Sequence, residues 1–136
     1  MRSRAVTMGQ IADILFRRGD LDAARAAREE SLDTLRRLGD ADGIAAALWG
    51  VAQLDLAEEK FADAAPRIVE AYDIVTRLGR AEGIAVIGMV HGQFLAAADQ
   101  PAEAVAVLQR SAEMFRKLGR ESEAHQAEQL IAELGL

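Results

Sequence analysis

Arg37-Leu38-Gly39 returns as Arg77-Leu78-Gly79 and again, with one conservative change, as Lys117-Leu118-Gly119. The leucines stand at 38, 78 and 118, a constant step of 40 residues. A fixed period of this length marks a chain assembled from copies of one supersecondary unit, none of which buries its apolar face without a neighbour. Such repetition builds extended surfaces in preference to one enclosed catalytic centre. The function to look for is therefore contact with something else.

Upstream of each glycine the apolar residues recur at helical spacing: Phe61, Ala64, Ile68, Ala71, Tyr72, Val75 and Leu78 in one copy, Val105, Leu108, Ser111, Ala112, Phe115 and Leu118 in the next. A glycine just past such a stripe accepts the left-handed conformation that closes a helix, so Gly39, Gly79 and Gly119 are predicted helix stops. Downstream, Ile44, Leu48, Val51, Ala52, Leu54 and Leu56 begin the next pattern, repeated as Ile84, Ile87, His91, Phe94 and Leu95. Short polar turns, Arg18-Gly19-Asp20, Glu58-Glu59-Lys60 and Asp99-Gln100-Pro101, divide each copy into two antiparallel helices. Asp20 and Asp99 are the expected N-caps, and Pro101 suits a helix start because its missing N–H has no intrahelical partner there. The predicted helices are 3–17, 21–37, 41–57, 61–78, 81–97, 101–118 and 121–134, with Pro66 implying a late start near Asp63 or a kink. The fold class is all-α.

The composition excludes several kinds of function. The 136 residues fit one domain able to bury about two-thirds of its unfolded surface. With 22 acidic against 16 basic residues the net charge is −6, which disfavours nucleic acid and anionic membranes. The absence of cysteine removes disulfides, thiolate catalysis and cysteine-ligated zinc. No apolar run is long enough to span a bilayer and no secretory core precedes a cleavage site, so a cytoplasmic setting is expected.

Aligned on the 40-residue step, small residues fall in columns: Ala12, Ala52 and Gly92; Ala24, Ala64 and Ala104; Ser31, Ala71 and Ser111. With the Gly19-Asp20-Leu21 turn, these columns make the chain resemble the tetratricopeptide repeat family, in its long-period bacterial form, over nearly its whole length. The resemblance implies a right-handed superhelix of three helical hairpins (about 1–40, 41–80 and 81–120) and a C-terminal capping helix, 121–136, as one domain. Arg28 departs from its column, where Ile68 and Leu108 stand, and is expected to pack loosely or to carry its guanidinium out to solvent. Met1 aligns with Ala41 and Ala81, which suggests a fragment or a start at a repeat boundary. An N-terminal face without a preceding cap would then bury against a missing repeat or a second copy. The last helix carries Ala124, Ala127, Ile131 and Leu134 on one stripe with glutamates elsewhere, as a solvating cap does.

In this family the first helix of each pair lines the concave groove, and that role transfers to aligned columns only. Trp49 and Met89 share one column; Asp13, Gln53 and Gln93 share another; Phe16 and Leu56 begin a third. A rigid aromatic beside a methionine and a row of amides suits a peptide, whose backbone the amides could pair. The competing reading packs Trp49, Met89 and Phe16 between repeats.

His91 is expected to be packed within an apolar stripe and His125 to be solvated, and neither has a ligand partner at metal spacing. Glu29-Glu30 and Glu58-Glu59 are expected on solvent-facing surfaces. Neither catalytic residue, metal nor cofactor is expected, because no nucleophile with an aligned base can be assembled. The resulting expectation is a noncatalytic scaffold for a protein or peptide partner. The alternatives are a homo-oligomerisation module and a ligand-sensing domain that regulates an attached enzyme.

Overall fold

A computed structural model describes residues 20–135, in which six helices and no strand occur. They are α1 (Leu21–Leu38), α2 (Ala41–Ala57), α3 (Phe61–Leu78), α4 (Ala81–Ala97), α5 (Pro101–Lys117) and α6 (Glu121–Glu133). The expected helix 3–17, with Ala12, Asp13 and Phe16, lies outside the described residues.

Gly39, Gly79 and Gly119 take φ of 68°, 68° and 73°, the left-handed geometry predicted for helix stops. In each copy the N–H one residue beyond the glycine donates back to the carbonyl of Leu35, Val75 or Phe115, so three helix ends close by the same turn. Leu38, Leu78 and Leu118 were expected to end the apolar stripes but stand 42%, 39% and 40% exposed. The turn carries the chain past its buried face, and the last buried position lies three residues earlier.

The turns within the hairpins differ from expectation in one respect. Asp20 caps α1 by accepting from the Ala23 N–H at 3.2 Å, but the N-cap position of α5 falls on Gln100 instead of Asp99, and the Gln100 side chain makes no cap hydrogen bond. Asp99 adopts φ 60° and Glu59 φ 59°, at the register of Gly19. A left-handed position occupied by a residue with a Cβ leaves the capping position one residue later. α3 begins at Phe61, with Pro66 inside it on an exposed face, so the late start near Asp63 does not occur. Phe61, placed first in its stripe by spacing, is 54% exposed.

The chain divides into two compact units, Met1–Ile74 and Val75–Leu136. In the first, α2 is apolar nearly all round and buries Leu48, Val51, Ala52 and Leu54, as a helix covered on more than one side must. Leu35 and Ala47 form a buried cluster with Leu32 and Ile44 against it. A Cβ on Gly43 would fall 2.7 Å from Leu35 Cδ2, so this glycine permits the close approach of α1 and α2.

The second unit repeats that seam. A Cβ on Gly83 would fall 2.7 Å from Val75 Cγ1, 40 residues on. At the third copy Glu123 replaces the glycine and binds Arg120 through two contacts of 2.6 Å, while Arg120 lies 5.1 Å from the centre of the Phe115 ring. Ile84, Leu108 and Phe115 are almost wholly buried, each contributing about 1.5–3 kcal/mol of transfer free energy. Gly92 receives Leu108 so closely that a Cβ would meet its Cγ at 2.6 Å, and the buried Ser111 hydroxyl donates to the Ile84 carbonyl at 3.4 Å. The described members of the three small-residue columns are all buried.

Candidate functional site

α2 places Trp49 and Leu56 partly buried and Gln53 exposed. Steps of four and seven residues put the three on one helix face. α4 does the same with Met89 partly buried and Gln93 exposed, and Ala96, at the register of Leu56, is partly buried. Each helix thus opens the same register positions to solvent. The Gln93 amide donates to the Met89 carbonyl at 3.1 Å, which holds its side chain along the helix. Asp13 and Phe16 lie outside the described residues.

Three residues that the sequence reading passed over make the densest polar contact of the first unit. Asp55 has a side chain of zero exposure, in a column where Leu15 and Leu95 stand. Arg25 of α1 donates to one carboxylate oxygen at 2.7 Å, and Arg67 of α3 donates to the other at 2.8 Å. Arg25 also reaches Glu58 at 3.3 Å, and Lys60 pairs with the second Glu58 oxygen at 2.9 Å. Three helices are therefore tied through one buried carboxylate. Arg25 feels burial, which disfavours its charge, but the hydrogen bonds of Asp55 and Glu58 outweigh it and raise its pKa. Hydrogen bonds from Lys60 and then Arg25 hold Glu58 below its ordinary 4.5. Glu58, expected on a free surface, is partly buried within this network. Both oxygens of Asp55 are engaged, so it is placed to hold helices together and is not open to act as a base.

Arg28 lies partly buried, its guanidinium end against Gly50, where a Cβ would meet Nε at 2.6 Å. The side chain thus packs along α2. Arg36 and Glu70 make a two-pronged exposed pair at 2.8 and 3.0 Å that holds Glu70 below its usual range.

His91 is partly buried. Burial lowers its pKa from 6.5, against an opposing pull from Glu103. His125 is 70% exposed. Among the described residues no group of three or more His, Cys, Asp or Glu could hold a metal ion, and no helix is long and apolar enough to cross a membrane.

The repeated seams and small-residue columns agree with a family model, described as Tetratricopeptide repeat, that matches residues 3–77. No curated protein matches the chain. The match covers more than half of the sequence and includes α1, α2 and nearly all of α3, the helices joined through Asp55. The 40-residue chain register, its left-handed glycine stops and this match together place the protein in the tetratricopeptide repeat family.

Proposed function

We propose that this chain is a noncatalytic scaffold, a single domain of three repeats and a capping helix, that holds a peptide or partner domain along the face carried by the first helix of each pair. Tetratricopeptide repeats are in general protein-interaction modules. The observation that carries the finer reading is the recurrence of exposure with register. Trp49 and Met89 are partly buried, Gln53 and Gln93 exposed, and Leu56 and Ala96 partly buried. A column half-covered in one copy and half-covered in the next offers apolar contact without being consumed by the core. The amides beside it supply donors and acceptors for a peptide backbone. Asp13 and Phe16 extend the same columns into the first repeat. A cytoplasmic setting accords with the cysteine-free sequence.

Trp49→Ala should weaken capture of the physiological partner by about tenfold or more, as loss of an aromatic anchor does. Its helicity and cooperative melt should stay those of the parent. Capture from extracts of the source cell, read beside circular dichroism, checks this. Loss of the cooperative melt would assign Trp49 to the core and remove it from the surface.

A further inference from the structure

The solvent face of α3 differs from that of its counterparts. Ala64, Ile68 and Ala71 are buried, while Ala62, Pro66 and Val69 on the other side of the helix are exposed, Val69 by 52%; Phe61, at the helix start, is 54% exposed. The registers of Ala62, Pro66 and Val69 carry Asp22, Ala26 and Glu29 in α1 and Ala102, Ala106 and Gln109 in α5, all exposed. No copy buries these positions in building the repeat, so packing does not account for the apolar side chains that α3 places there. An exposed phenylalanine and valine on one stripe are a contact surface.

The charges beside this stripe say what kind of contact. Arg36 of α1 and Glu70 of α3 meet in a two-pronged pair across the two helices. Seven residues earlier in each helix, about two turns back on the same faces, stand Glu29 and Asp63. The first pair is opposite in charge, and this one is acidic on both sides. Both residues are exposed, and neither makes an ion pair with a described residue. The described cations of this unit are committed elsewhere: Arg25 and Arg67 to Asp55, Arg36 to Glu70, Arg37 to Asp33 and Lys60 to Glu58, while Arg28 lies against Gly50. Two carboxylates left in this way favour a positive charge brought from outside. A second copy does not bring it, because each chain carries a net charge of −6 and a two-fold contact would add the same carboxylates from the other side.

We propose that the solvent face of α3, with Glu29 and Asp63 at its edge, is a docking site for a segment of a partner protein that carries apolar side chains with lysine or arginine beside them. Phe61 and Val69 take the apolar part and the two carboxylates take the cation. The site is separate from the Trp49 and Met89 columns and does not rest on their role.

The test uses the full chain and a labelled amphipathic peptide of leucine and lysine, with a second peptide in which glutamate replaces every lysine. Fluorescence anisotropy should give saturable binding of the lysine peptide that weakens with added salt, and none of the glutamate peptide. Phe61→Ser, and separately Glu29→Gln combined with Asp63→Asn, should each lower the affinity by about tenfold with an unchanged melt. Glu113→Gln combined with Glu133→Gln removes the same charge from exposed positions of the second unit and should leave binding as it was, as should Trp49→Ala. Absence of saturable binding, capture of the glutamate peptide, or an equal loss from both charge-removing pairs would overturn the proposal. So would a dimer of the chain alone, seen by sedimentation and abolished by Val69→Ser, since the occupant would then be a second copy.

Discussion

Asp55 is a single residue on which three helices depend. Its two oxygens are claimed by Arg25 and Arg67, and its side chain has no exposure. Without Asp55, Arg25 falls back on Glu58 at 3.3 Å and Arg67 on the Asp63 carbonyl at 3.2 Å, so the loss lies at the low end of the range for a broken buried ionic set, about 3 kcal/mol. Asp55→Leu restores the leucine of the other copies, yet it should lower the urea midpoint because Arg25 and Arg67 each lose a charge-assisted hydrogen bond to a buried carboxylate. The combined replacement Arg25→Ala, Asp55→Leu and Arg67→Val installs residue types that other copies carry at these registers. It should recover most of the loss, since a well-packed apolar set can match a buried ion pair. Equal midpoints for the single and combined variants would show that the arginines find other partners. This network was illegible in the sequence for a definite reason. Its members lie 30 and 12 residues apart, and alignment by repeat reports each of them only as a departure from its own column.

At the scale of the element, helix boundaries were the most legible feature, because a left-handed glycine and the stripe before it are local requirements. Gly39, Gly79 and Gly119 announce their geometry without reference to anything distant. Leu38, Leu78 and Leu118 were misread for the complementary reason: spacing identifies a helix face, but the closing turn decides where that face ends. Asp99 follows the same logic, since the hairpin turn needs a left-handed residue there and so cannot use it as a cap. That need gives a prediction. Glu59 holds φ 59° on an exposed turn, where a side chain is strained by roughly 1–2 kcal/mol. Glu59→Gly relieves it against a loss of about 0.5–1 kcal/mol from the freer unfolded chain. The variant should gain up to about 1.5 kcal/mol in chemical denaturation, the difference of those ranges. Asp99→Gly should gain less, because aspartate tolerates this region better.

For the molecule as a whole, the candidate surface was legible only as far as register. Repetition assigned Trp49, Met89, Gln53 and Gln93 to columns, whereas their degree of exposure depends on packing that no column records. The charged groups set a further whole-molecule property, the response to acid. His91 has a pKa below 6.5 in the folded chain, chiefly because burial opposes its charge. The unfolded chain therefore takes up a proton first, and stability falls as pH drops below 6.5 towards the folded value. His91→Gln should flatten this limb of a melting-temperature profile. Glu58 and Glu70 lie below 4.5 in the folded chain through hydrogen bonds, from Lys60 and Arg25 in one case and from Arg36 in the other. Their stabilisation is present above 4.5 and is lost as pH falls through their folded values. Glu70→Gln should thus reduce the steepness of the acid limb without altering the limb that belongs to His91.

The seam in which Gly43 admits Leu35 is reproduced where Gly83 admits Val75. An interlock made twice with the same parts is interchangeable, like the coupling between railway carriages. A second copy of residues 41–80, spliced in between Arg80 and Ala81, would present glycine to an apolar residue at both of its new junctions. The lengthened protein should remain soluble and melt at or above the temperature of the parent, as expected where stability sums over neighbouring units. A splice displaced by even one residue would misalign both couplings. Genes with this arrangement can grow or shrink by whole carriages while each junction stays chemically familiar.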